Sequence, residues 1–126
     1  MANERSGSGS RVLLVDDEFS TAEVLALLLA GEGFHVTTAA NGAQALERLE
    51  EAAPDLLVAD FMMPGMNGAQ LIRMSRALPR YESLPVLLIS GAPETALRRY
   101  DVKYETFLRK PFSLESFLNA VRRLRD

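Results

Sequence analysis

Three short apolar runs, "RVLLVDD", "DLLVAD" and "LPVLLIS", each give way to polar residues. Apolar side chains at consecutive positions mark strands covered on both faces. Helical stretches lie between them. "STAEVLALLLAGEG" places Ser20 and Glu23 at capping-box spacing, and Gly31 and Gly33 can end that helix. "NGAQALERLEEAAP" is helical up to Pro54, and Gly68 to Leu78, "GAQLIRMSRAL", is a third helix. "PETALRRY" reads as a short, weak helix with Ala96, Leu97 and Tyr100 to bury. "SLESFLNAVRRLRD" is a last helix capped by Ser113. Adding the strands "FHVTTA" and "ETFLRK" gives strand then helix, five times over. That order predicts an α/β fold, one doubly wound parallel sheet of five strands with five helices.

In such sheets ligands bind beyond the carboxyl ends of the strands. The first strand ends at Asp16 and Asp17, the third at Asp60, the fourth at Ser90, and the fifth at Lys110 before Pro111. Taken singly, an acid after a strand can cap a helix and a serine before glycine can make a turn. All five groups, however, fall on one rim. Two like charges about 4 Å apart cost roughly 4 kcal/mol at an effective dielectric near 20. A hard divalent cation removes that penalty, and Mg²⁺ favours a few carboxylates together with phosphate oxygens. One carboxylate can then attack phosphorus, while an ammonium and a hydroxyl bind phosphoryl oxygens. The pattern is that of a phospho-acceptor site with Asp60 as nucleophile.

Composition narrows the alternatives. The chain has 126 residues, 48% of them hydrophobic and 25% charged, which suits one globular domain. There is no cysteine, hence no disulfide framework or thiolate chemistry. The longest apolar run, in "VLALLLA", is too short to span a membrane, and no secretory leader pattern opens the sequence. A cytoplasmic protein without membrane insertion is expected. Residues 1–63 carry 3 basic and 11 acidic side chains, and residues 64–126 carry 11 basic and 6 acidic. The basic half has its arginines scattered among acids without interleaved aromatics, so direct nucleic-acid binding is not expected. Residues 1–10, "MANERSGSGS", read as a flexible arm, and 11–126 as the single domain. His35, the one histidine, alternates outward without ligand partners. Met62, Met63 and Met66 read as loop packing beside hard oxygen donors.

At these residues the chain strongly resembles the receiver domain of two-component response regulators. "LLVDDE" resembles the first-strand acid pair, and "DFMMPGMNG" the acceptor loop Asp-x-x-Met-Pro-x-Met-Asp-Gly. "LLISG" is similar to the fourth-strand hydroxyl motif and "FLRKPF" to the fifth-strand Lys-Pro motif. The resemblance implies a flavodoxin-like sheet of order 2-1-3-4-5. It implies that Asp16, Asp17, Asp60 and the Met62 backbone carbonyl hold Mg²⁺, and that Asp60 is phosphorylated. The donor would be a sensor histidine kinase or a histidine phosphotransfer domain. Lys110 would bind the phosphoryl group, and Ser90 and Phe107 would form a switch pair that changes partner binding. The chain would not be an enzyme beyond its own phosphoryl transfer and dephosphorylation.

Some positions depart from the family pattern. Asn67 stands where the loop usually has Asp, and Phe107 where Tyr is commoner, which removes a hydroxyl. The spacing from Ser90 to Lys110 is short for the family, with the shortening in the fourth helix. A monomer or weak dimer is expected from that. A flavin-binding protein of the same fold would need a hydroxyl- and glycine-rich first loop, and "DDE" repels a phosphate there. The remaining alternative is a receiver-like interaction module that signals without phosphorylation. No DNA-binding or enzyme segment is read after Arg125, so a stand-alone regulator and a piece of a larger protein both stay open.

Overall fold

A computed structural model describes residues 9–125. Five strands, β1 (Arg11–Val15), β2 (His35–Ala39), β3 (Leu56–Asp60), β4 (Val86–Ser90) and β5 (Thr106–Arg109), form one parallel sheet of order β2-β1-β3-β4-β5. Helices α1 (Phe19–Gly31), α2 (Gly42–Ala52) and α3 (Gly68–Arg76) make three of the crossovers, a 3-10 helix, Glu94–Tyr100, makes the fourth, and α4 (Leu114–Arg125) packs back on the sheet after β5. Another 3-10 turn, Pro79–Tyr81, leads from α3 towards β4. Of the expected arm, residues 1–8 lie outside the described residues. The Ser10 carbonyl accepts from His35 N–H, so the ladder starts one residue before β1.

Strand alternation divides the core in two. Leu13, Val15, Leu57, Ala59 and Leu88 face α2, α3 and the 3-10 helix, where they meet Leu49, Leu71, Ile72 and Leu97. Val12, Leu14, Val58, Leu87 and Ile89 face α1 and α4, where they meet Leu25, Leu29, Phe117 and Val121. Each of these side chains larger than alanine contributes about 1.5–3 kcal/mol on burial. Every residue of β3 and β4 is buried, which is why both strands read as unbroken apolar runs. Edge strand β2 is half open, and His35 is exposed as expected.

Two local expectations are corrected. Ser20 does not cap α1. The helix starts at Phe19 with Glu18 as N-cap and no side-chain cap. Asp16 Oδ1 accepts from Glu18 N–H at 2.9 Å, and that turn lets the helix begin earlier. The capping box lies instead at α3, where Asn67 Oδ1 accepts from Gln70 N–H and Gln70 Oε1 accepts from Asn67 N–H, both at 2.9 Å. Asn67 thus serves the helix where the family usually has Asp. The second correction concerns "PETALRRY", which is 3-10 rather than α. Leu97 is buried and Tyr100 half-buried three residues on, which is the 3-10 period, while Ala96 is exposed. Ser113 caps α4 as expected, its Oγ accepting from Ser116 N–H.

Arg76 fastens the end of α3. Its guanidinium donates to the carbonyls of Lys103 and Leu84 and pairs with Glu105, which also accepts from Val86 N–H. At the other end of α3, Gly68 sits against the end of β3. A Cβ there would lie 2.9 Å from Phe61 Cα and 3.0 Å from the Asp60 carbonyl. Both neighbours are backbone and cannot swing aside. Gly68→Ala is therefore expected to destabilise the fold by about 1–3 kcal/mol, read as a lower urea midpoint with unchanged slope.

Candidate functional site

The carboxyl ends of β1, β3, β4 and β5 meet beside the point where strand order reverses. Asp16 follows β1, its N–H bonded to the Ala39 carbonyl, and its side chain is only 4% exposed. Asp60 ends β3 and is 5% exposed. Asp17 is exposed. One carboxylate oxygen from each of the three lies within 4.8 Å of the others. The expected acid cluster is thus brought together.

Lys110 reaches the cluster from the end of β5. Its ammonium donates to Asp60 Oδ2 at 2.8 Å, and Asp60 Oδ1 accepts from Met62 N–H at 3.3 Å. The Lys110 N–H is anchored on the Ser90 carbonyl at 2.8 Å, and the Lys110–Pro111 bond is cis. Ser90 is fully buried at the end of β4, its Oγ accepting from Ala92 N–H at 3.0 Å. Phe107 registers with Leu88, two residues before Ser90, so both side chains leave the sheet on one face. The ring is half-buried against the α2–α3 core and lies 6.1 Å from the Tyr104 ring.

The charges are unequal to one another. Burial raises the Asp16 carboxyl above its usual range. The Glu18 N–H and the Lys110 ammonium work against that rise, while Asp60 and Asp17 add to it. Burial alone would lower Lys110, yet the hydrogen bond and charge of Asp60 outweigh it and hold the ammonium above its ordinary value. The lysine therefore keeps its proton at neutral pH, and one ammonium serves three acids. Hard, closely spaced oxygens with uncompensated negative charge fit Mg²⁺.

A depression of about 430 Å³ opens over the pair, lined by Asp17, Glu18, Asp60, Met62, Gly91 and Lys110. Glu18 and Gly91 were not singled out in the sequence. The "DDE" run carried the signal for Glu18. Gly91 adjoins Ser90 and leaves the depression without a side chain on that wall. The Met62 side chain is 63% exposed beside the opening, whereas Met63 is buried. The thioethers are packing and rim, not part of the acid cluster.

Comparison with known proteins agrees with this geometry. The family described as "Response regulator receiver domain" matches residues 12–122. The DNA-binding response regulator MtrA of Mycolicibacterium paratuberculosis is 36% identical over 114 residues, which is 89% of this chain and 49% of that protein. The chain spans about half the length of the curated relatives it matches. The chemotaxis protein CheY4 of Vibrio cholerae superposes with a TM-score of 0.86 at 29% identity, over 91% of this chain and 98% of that one. The receiver domain of the hybrid histidine kinase CckA superposes at 0.77 with 34% identity, over 93% of this chain and 100% of that one. The family match takes in the whole sheet edge that carries the acid cluster, and the chain belongs to the response regulator receiver domains.

Proposed function

We propose that Asp60 accepts a phosphoryl group from a phosphohistidine of a sensor kinase or phosphotransfer domain, and that the loaded domain switches its contacts with a downstream partner. The observation that carries this reading is the Lys110–Asp60 pair at 2.8 Å on the rim of the acid cluster. Asp60 is the one acid of the three with an ammonium on one oxygen and a backbone N–H near the other. Its carboxylate forms the new P–O bond as the P–N bond breaks and the imidazole leaves. Lys110 then shifts from a carboxylate oxygen to a phosphoryl oxygen within the same reach. Ser90 turns its hydroxyl proton to a second phosphoryl oxygen.

Asp16, Asp17, Asp60 and the Met62 carbonyl would hold Mg²⁺, which supplies the charge neutralisation that an anionic donor needs at a site of three acids. The chain acts as a cytoplasmic signalling module and turns over nothing beyond its own phosphoryl group. No helix among the described residues is long and apolar enough to cross a membrane. Mg²⁺-dependent loading separates this reading from that of a phosphorylation-independent module.

Acetyl phosphate with Mg²⁺ is expected to add one phosphoryl group. In mass spectrometry the increment disappears in Asp60→Asn, and Lys110→Ala slows its appearance about tenfold or more. An unchanged increment in the Asn variant defeats the assignment.

Charge relief gives a second expectation. Mg²⁺ at about 100 times its dissociation constant stabilises the fold by about 2.7 kcal/mol. Without metal, Asp16→Asn raises the melting temperature by a few degrees, more than Asp17→Asn, because Asp16 is buried and Asp17 exposed. The folded chain raises the Asp16 pKa, so its ionisation costs stability as pH climbs through the carboxylate range. The Asn gain is therefore full at pH 7 and shrinks towards pH 4, as thermal melts at both values will report.

Phosphoryl lifetime depends on the opening. Met62 places an exposed thioether beside the acceptor, which cannot orient an attacking water. Met62→Asn is expected to shorten the half-life of the phosphorylated form severalfold, followed by loss of the phosphoryl mass. An equal or longer half-life removes Met62 from control of water access.

A further inference from the structure

We propose that the hydrogen bond from Tyr104 to Glu94 is a latch that holds the 3-10 helix in its resting position and, through Ser90, opposes loading of Asp60. The inference rests on Asp60 as the acceptor and concerns how that site is regulated.

The 3-10 helix is held very differently at its two ends. At the far end, Tyr100 is clamped. Its carbonyl accepts from Arg73, and its ring meets Phe61 edge-on at 4.8 Å, one residue past the acceptor. At the near end, no side chain caps the helix. There the chain is fastened at three points. Ala92 N–H donates to Ser90 Oγ, Arg109 reaches the Gly91 carbonyl at a long 3.4 Å, and Tyr104 donates its hydroxyl to Glu94 Oε2 at 2.7 Å. The latch is thus the shortest of the fastenings.

Tyr104 is a fixed post. Its chain neighbours Lys103 and Glu105 are both held by Arg76, and Glu105 also binds the Val86 N–H. The ring leans on Phe107. Phe107 has no hydroxyl, and the hydroxyl that reaches the 3-10 helix comes from Tyr104, two residues before β5. Burial, with the hydrogen bond and charge of Glu94, pushes the Tyr104 phenol up to about 12, against the opposing charge of Arg98. The donor keeps its proton throughout the neutral range.

Ser90 joins this near end to the acceptor. Its Oγ belongs to the Ala92 N–H at rest. A phosphoryl oxygen that draws the hydroxyl inward pulls Ala92, and the pull reaches Glu94 two residues later. Loading and latching therefore compete for the same short segment. By reciprocity, whatever loading costs the latch, the latch costs loading.

The test uses the full chain with beryllofluoride and Mg²⁺ as the phosphoryl mimic. Tyr104→Phe keeps the ring and removes the donor. It is expected to lower the half-saturating beryllofluoride concentration about three- to tenfold, the net scale of one ordinary hydrogen bond. Glu94→Gln shifts it in the same direction by less. In a Ser90→Ala background, Tyr104→Phe has no effect on loading. Amide exchange across residues 92–97 rises in wild type on loading, to the level of unloaded Tyr104→Phe. A merely structural bond would change exchange but not loading. Wild-type loading with an unchanged or weakened Tyr104→Phe value overturns the latch and leaves Asp60 as acceptor. Failure of wild type to load overturns both. Should Tyr104→Phe fold poorly, Glu94→Gln decides by the same readings.

Discussion

Covering both faces of a parallel sheet leaves its strands no polar outlet except their ends, and the rest of this molecule follows from that. β3 and β4 have no exposed residue between entry and exit. A carboxylate inside such a strand would lack hydrogen-bonding partners and would be too costly to keep. Asp60 and Ser90 are tolerated because the strand stops there and loops supply N–H groups, Met62 to one and Ala92 to the other. The parallel order then places every such end on the same side. Chemistry that needs several polar groups is gathered by topology before any side chain is chosen.

What the choice of side chains adds is imbalance. Lys110 answers Asp60, and the same ammonium must also serve Asp16 across the cluster. Of the remaining negative charge, the Asp16 part is held in place by backbone bonds, through its own N–H and through Glu18, while Asp17 is open to solvent. A cluster with this much uncompensated charge, partly fixed in position, suits a hard cation.

The sheet and the rim were legible because both write themselves as simple patterns. Consecutive apolar residues reveal a doubly covered strand, and a polar residue at each run's end reveals the rim. Asp16, Asp17, Asp60, Ser90 and Lys110 were all found that way, and the motif resemblance ordered the strands. The misreadings came where several local signals compete. Ser20 and Glu23 have the spacing of a capping box, but a side chain already turned the backbone two residues earlier. Ala96 looked like core on an α-helical count and is exposed on a 3-10 one. Gly68 carries no pattern of its own. Its need arises from the nearness of the β3 backbone, which no count along the chain displays. The bond from Tyr104 to Glu94 spans ten positions between the loop before β5 and the 3-10 helix, and sequence periodicity has no term for it.

Arg76 bears on the order in which the fold comes apart on heating. Its planar fork ties the last turn of α3 to the entrance of β4 and to the chain just before β5, so those three regions must loosen together. The 3-10 helix lies on the far side of that tie, with one buried side chain of its own. It can melt as a separate unit while the five strands remain paired. Warmth would then give a molecule whose acid cluster is still held by paired strands while the chain that follows Ser90 has lost its order.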